Sequence, residues 1–298
     1  MTRLGIATTS YINGDPIRDA YQFLEHAHAL GAIGIQAPPV GDVAKVRERA
    51  AALGMYVEAI VGLPRNNDAS QFEKTVQNAK AMGATSIRAN AGGRRYEDFS
   101  TLADFENFRT RALNAIRLAV PIAEKYKIPL AIENHKDFTV EQQIAIFKSY
   151  STEYLGACLD FGNNLALCED PMETAEKLAP FTITTHVKDM GVEPYADGFL
   201  LSELRLGEGF LDLKKMVSLL RPSVRLNLEM ITRDPLKIPC LTDRYWATFP
   251  DMKAAQLAHA LHIVQQHSQK LPRVMQLPRP ELLRVMEENN KACLAYDL

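Results

Sequence analysis

Eight short runs of apolar and β-branched residues recur along the chain: LGIATT (4–9), AIGIQA (32–37), YVEAIVG (56–62), TSIRAN (85–90), PLAIENH (129–135), GACLDFG (156–162), FTITTHVKD (181–189) and VRLNLEM (224–230). Short, nearly continuous apolar runs are the pattern of strands buried on both faces. Between them lie amphipathic stretches. DAYQFLEHAHALGA carries apolar residues at helical spacing and runs into Gly31; FENFRTRALNAIRLAVPIAEKYK is long enough for about six turns, with Pro121 placed to kink it or to start its second half. Strands alternating with helices predict parallel strands joined by crossover helices. Eight such units over about 235 residues fit a (β/α)8 TIM barrel, with an open doubly wound sheet as the alternative.

No linker or low-complexity segment divides the chain, so residues 1–298 read as a single domain, with the barrel at about 4–265. AAQLAHALHIVQQHSQKL supplies the last return helix. The Pro-rich LPRVMQLPRP and a final helix, PELLRVMEENNKACLAY, form a C-terminal extension over about 266–298.

Composition narrows the function classes. A net charge of −2 gives no electrostatic reason to expect nucleic acid or an anionic membrane as partner. There is no run of 18 apolar residues, and MTRLGIATTSY runs into the first strand without the apolar core of a secretion signal. The four cysteines, Cys158, Cys168, Cys240 and Cys293, form no CxxC pair and predict reduced thiols, hence a cytoplasmic protein.

In a barrel the active site lies at the C-terminal ends of the strands, so the polar residues ending each run carry the chemistry. The fifth run ends in Glu133, Asn134 and His135, the sixth in Asp160, the seventh in His186 and Lys188, and the eighth in Glu229. Alternate strand residues share a face, so Glu133 points with His135, and His186 with Lys188. Any one of these residues alone reads equally well as a helix cap, a loop residue or a satisfied structural group. Together, Glu133, Asp160, His186 and Glu229 offer three carboxylates and one imidazole, a set suited to a divalent ion. Three carboxylates at one barrel mouth would repel one another without a cation between them.

The order Glu, Asp, His, Glu, carried by IENH, LDFGN, HVKD, GEG and NLEM, resembles the xylose isomerase-like barrel superfamily, in its sugar isomerase and epimerase branch of ketose 3-epimerase and inosose-dehydratase type. The resemblance implies a metal site at Glu133, Asp160, His186 and Glu229, with Mn²⁺ the leading ion and Mg²⁺, Co²⁺ or Zn²⁺ as alternatives. It implies a sugar or cyclitol substrate and a dimer or tetramer. The implied activity is isomerisation or epimerisation through a metal-stabilised enediolate, Glu133 and Glu229 exchanging the proton on opposite substrate faces. Dehydration of a keto-sugar or keto-inositol by the same intermediate is the alternative. An apurinic endonuclease and a non-catalytic sugar-binding protein are remoter readings. The chain departs from the ketose 3-epimerase pattern at three substrate-gripping positions, where it carries Thr139, Asn163 and Val192.

Other residues have weaker expectations. His135, Asn163 and Lys188 are candidate substrate contacts; the alternatives are that His135 orients Glu133 and that Lys188 pairs with Asp189 or a ligand carboxylate. LGEGFLD (206–212) reads as a tight turn closing the pocket, GGRRYEDF (92–99) as a solvated loop or an Arg94/Arg95 anion clamp, and Trp246 as a sugar cover or rim packing. His26, His28, His259, His262 and His267 read as structural.

Overall fold

The computed structural model describes residues 4–14, 19–251 and 253–298. In chain order the strands are β1 (Leu4–Ala7), β2 (Gly34–Ala37), β3 (Tyr56–Ile60), β4 (Ile87–Ala89), β5 (Leu130–Glu133), β6 (Leu155–Asp160), β7 (Thr182–Val187), β8 (Asp189–Tyr195), β9 (Gly198–Leu204), β10 (Arg225–Leu228) and β11 (Leu236–Ile238). Eight of them close into a parallel barrel in the order β1-β10-β7-β6-β5-β4-β3-β2. These eight are the eight apolar runs, each trimmed by a few residues. The expected barrel therefore forms, and the open sheet does not.

The runs are continuous because both strand faces are covered: one lines the barrel interior and the other meets the helical ring. Residues of β1, β2, β4, β5 and β6 are buried throughout. Side-chain caps fix the helix starts. Asp19 caps Ala20–Ala29 by accepting from the Tyr21 amide, and Thr139 with Gln142 forms a capping box at Val140–Lys148. The long helix, Leu102–Lys125, continues through Pro121, so Pro121 does not begin a separate helix. Pro121 and Arg117 are both exposed, so the carbonyl that Pro121 leaves unbonded faces water.

The predicted alternation fails between β7 and β10. Instead of passing directly into a helix, the chain makes an antiparallel hairpin, β8 and β9, which β11 extends to a three-stranded sheet. Ala196 and Asp197 form its turn, and Gly198, the first residue of β9, has φ +150°. The hairpin is anchored at its root by Asp189, whose carboxylate accepts from the amides of Met190, Gly207, Gly209 and Leu211. Residues 206–212 are thus a tight turn, as expected, wrapped around a buried carboxylate. Gly209 has no alternative there: a Cβ would lie 2.1 Å from Asp189 Oδ1. The C-terminal extension ends in the expected helix, Arg279–Leu294, and Cys293 and Leu294 join the main core. All four cysteines are buried free thiols.

Candidate metal centre and the cavity above it

The last residues of β5 and β6, the penultimate residue of β7 and the residue after β10 bring Glu133, Asp160, His186 and Glu229 together. Each offers one ligand atom, these atoms lie within 4.8 Å of one another, and all four residues are buried. Register explains the convergence. Asp160 pairs with His186 across β6 and β7, and His186 with Asn227 across β7 and β10, so the next inward residue on that strand is Glu229.

His186 is presented for ligation. Its Nε2 lies 2.7 Å from Gln36 Oε1, an atom that only accepts, so Nε2 carries the proton and Nδ1 the lone pair. Gln36 is fixed in turn by donating to Glu58 Oε2 at 3.1 Å, the two residues being cross-strand partners in β2 and β3. Glu58 also accepts from Thr184 at 2.6 Å and Asn227 at 2.7 Å. Burial pushes the Glu58 carboxyl above its ordinary range against these donors. The Nδ1 lone pair has no hydrogen-bond partner. It faces Glu229 Oε1 at 3.1 Å, Glu133 Oε1 at 3.4 Å and Asp160 Oδ2 at 3.9 Å. A lone pair turned toward three carboxylate oxygens repels them, and a divalent cation at their centre removes that repulsion. The residues fit such an ion, and the chain of acceptor and donor behind His186 has the form that orients a histidine ligand.

Basic side chains surround the cluster. Arg88 of β4 meets Glu133, while Lys188 Nζ sits 2.7 Å from Asp160 Oδ2 and 2.5 Å from Glu229 Oε2. Lys188 therefore pairs with two of the candidate ligands and not with Asp189. Burial opposes its charge, but Asp160, Glu229 and Glu203 together raise its pKa. Glu203 comes from the β8–β9 hairpin and grips Arg233 through two bonds, of 2.5 and 3.1 Å. Burial works against the Glu203 anion too, yet Arg233 and Lys188 hold its carboxyl below the usual range.

Above the cluster opens a cavity of about 550 Å³. Glu133, Glu229, His135, Asn163 and Lys188 all line it. Asn163 donates to Glu133 Oε1 at 3.2 Å, and its own amide donates to Asp160 Oδ1 at 2.9 Å. His135 makes no hydrogen bond to Glu133. Its Nδ1 donates to the Gly93 carbonyl at 3.2 Å, and burial, Lys136 and Arg88 hold its pKa well below normal, so the ring is neutral.

Two of the departures from the epimerase pattern, and the weaker candidates, lie elsewhere. Val192 is buried in the hairpin sheet and Thr139 is spent on its helix cap. Arg95 is no anion clamp and no loop residue. It opens the short helix Arg95–Asp98, is 2% exposed, and lies between the rings of Phe105 and Phe249 at 3.7 and 4.1 Å. Arg94 reaches the cavity rim, paired with Glu97 at 2.7 Å. Trp246 packs on the rim, its Nε1 donating to the Cys240 carbonyl at 2.8 Å.

Sequence reasoning missed Gln36, Glu58, Arg88, Lys136, Glu203 and Arg233. Gln36, Glu58 and Arg88 interrupt apolar strand runs, and a polar residue inside a run buried on both faces is the signal that marks them. The hairpin residues had a different cue, Asp-Gly between two apolar runs.

The family described as xylose isomerase-like TIM barrel matches residues 22–238. A 3-oxo-isoapionate decarboxylase of Pectobacterium atrosepticum is 25% identical over 224 residues, covering 74% of this chain and 75% of that protein. Among solved structures, a D-psicose 3-epimerase with D-tagatose from Clostridium cellulolyticum H10 superposes with a TM-score of 0.59 at 11% identity, over 91% of this chain and 100% of the other. The IolI protein with a bound zinc atom gives 0.58 at 16% identity, also over 91% and 100%. At those identities the structures share the fold. Among the described residues no helix is long and apolar enough to cross a membrane. With the sequence match spanning most of the barrel, the chain belongs to the xylose isomerase-like TIM barrel family.

Proposed function

We propose that this chain is a divalent-metal-dependent lyase that cleaves a bond next to the carbonyl of a small polyhydroxylated oxo compound, releasing carbon dioxide or water. Glu133, Asp160, His186 and Glu229 are the ligands in this reading. A bound ion supplies Lewis acidity, favouring negative charge on the substrate's oxo oxygen and a neighbouring hydroxyl. The remaining work belongs to the side chains. His186 keeps its lone pair forward because Gln36 holds the ring from behind. Asn163 steadies Glu133, and Lys188 steadies Asp160 and Glu229.

The observation that carries the reading is the pairing of both candidate bases with cations, Glu133 with Arg88 and Glu229 with Lys188. A carboxylate held by a buried cation is a poor proton acceptor but a good ligand. Loss of carbon dioxide from a β-oxo acid breaks a carbon–carbon bond and removes no C–H proton, so it needs no strong base, and the decarboxylase relative supports it; loss of water still requires a proton to leave the α-carbon, so the pairing favours decarboxylation within the lyase class. A second reading, isomerisation or epimerisation with Glu133 and Glu229 as proton carriers, draws on the fact that both line one cavity.

The test incubates Mg²⁺-loaded protein in D₂O with oxo sugar acids, ketoses and 2-keto-inositol, read by NMR. The lyase reading expects a product shortened by carbon dioxide or water, with no turnover in Glu133→Gln. An epimer that has lost neither carbon dioxide nor water, with deuterium at the inverted carbon, overturns it in favour of the second reading. Wild-type affinity for Mn²⁺ in Glu133→Gln removes the metal assignment.

A further inference from the structure

Five basic side chains line the cavity, and four of them have carboxylate partners: Arg88 with Glu133, Lys188 with Asp160 and Glu229, Arg233 with Glu203, and Arg94 with Glu97. Lys136 is different. It is 4% exposed, and its Nζ donates to the amide oxygen of Asn163 and, among the described residues, to no carboxylate. An ammonium has three N–H donors, and a buried one without a counterion is costly. Burial first, then Arg233 and Lys188, push its pKa down to about 7 against the opposing pull of Glu203 and Asp160. The Asn163 contact leaves two of its three N–H donors for a ligand.

The charge balance of the site points the same way. The buried acids Glu133, Asp160, Glu203 and Glu229 already have cation partners in Arg88, Lys188 and Arg233, which leaves Lys136 as the cation over. A divalent ion at the centre adds two more positive charges, which an anionic ligand offsets in a low-dielectric pocket.

We infer that the substrate is an oxo acid and that Lys136 is the specificity residue that receives its carboxylate. This rests on the metal-dependent reading above and narrows its substrate class. The two N–H donors of Lys136 beyond the one given to Asn163 match the two oxygens of a carboxylate. A phosphate monoester shares the negative charge but presents three acceptor oxygens, and it is the competing source of the anion.

The experiment is calorimetric titration of Mn²⁺-loaded protein with three four-carbon probes: threonate, threitol and erythritol 4-phosphate. Threonate and threitol differ in one carboxylate, and neither is an oxo compound that could turn over. Wild type is expected to prefer threonate. Lys136→Met is expected to weaken threonate binding by about tenfold or more, the scale of a charge-assisted contact, and to leave threitol unchanged. Lys136→Arg is expected to retain the preference within a few-fold. Unchanged Mn²⁺ affinity in both variants shows that the centre still forms. Preference for threonate that survives in Lys136→Met places the carboxylate on the ion or on Arg233 and overturns the assignment. Equal binding of threonate and threitol by wild type overturns it as well, with the metal reading intact. Lys136-dependent binding of the phosphate in preference to threonate overturns the carboxylate class. Failure to bind Mn²⁺ removes the metal reading and this inference together.

Discussion

Replacing Gln36 with Leu tests whether His186 is held in a ligating tautomer by a residue that would never touch the ion. The substitution nearly conserves volume and removes two hydrogen bonds, the 2.7 Å bond from His186 Nε2 and the 3.1 Å bond to Glu58. With no acceptor behind it, the Nε2 proton has nowhere to go in a site that is fully buried. The ring then gains by moving its proton to Nδ1, which lies 3.1 Å from Glu229 Oε1 and becomes a donor to it. That tautomer stabilises the metal-free centre and blocks the lone pair, so both effects weaken binding. Loss of such an outer partner costs about 10–100-fold in metal affinity, or about 1.4–2.7 kcal/mol. The assay is titration of metal-free protein with Mn²⁺, following the free-ion signal by electron paramagnetic resonance. Urea unfolding of the same samples shows whether the barrel is intact. Binding within twofold of wild type, in a folded variant, would refute the tautomer argument.

Two further outcomes follow from the same structure. Gly209→Ala drives a Cβ to 2.1 Å from Asp189 Oδ1 and 2.5 Å from the Met190 carbonyl, so it should lower the urea-unfolding free energy by about 1–3 kcal/mol, the usual overpacking cost. An unchanged midpoint would show that the hairpin root is looser than drawn. Lys136→Met should change how stability depends on pH. The folded Lys136 has a pKa of about 7, whereas an unfolded lysine titrates near 10.4, so between these values the unfolded chain holds a proton that the folded chain has shed. Metal-free wild type should therefore gain stability relative to Lys136→Met as pH rises through that window, with the deficit largest below about pH 7. Parallel urea midpoints at pH 6 and pH 9 would sink the point.

The barrel was legible because each of its strands is a nearly unbroken apolar run, and the candidate ligands because they stand where such runs stop. Glu133, Asp160 and His186 interrupt nothing; they end strands that are otherwise buried on both faces. What surrounds them was not legible for physical reasons. Lys136 and Arg233 lie beyond strand ends, where polar residues are the rule, and only the folded chain shows that one is paired and the other is not. The hairpin was lost because HVKD was read as one strand end. In the fold Lys188 is the hinge residue between β7 and β8, and Asp189 already belongs to the next sheet. Pro121 does not end its helix because it lies on a solvated face, where water replaces the bond its ring removes.

The Glu58–Gln36–His186 chain has a consequence for how the protein comes into being. All four candidate ligands lie from Glu133 onward, while the two residues that set the imidazole lie earlier, in β2 and β3. During synthesis the scaffold for the tautomer leaves the ribosome first and waits for the ligands. A half-barrel beginning at β5 would own every ligand and lack the device that aims one of them. Under the proposed metal reading, tight ion binding therefore needs both parts of the ring to have come together.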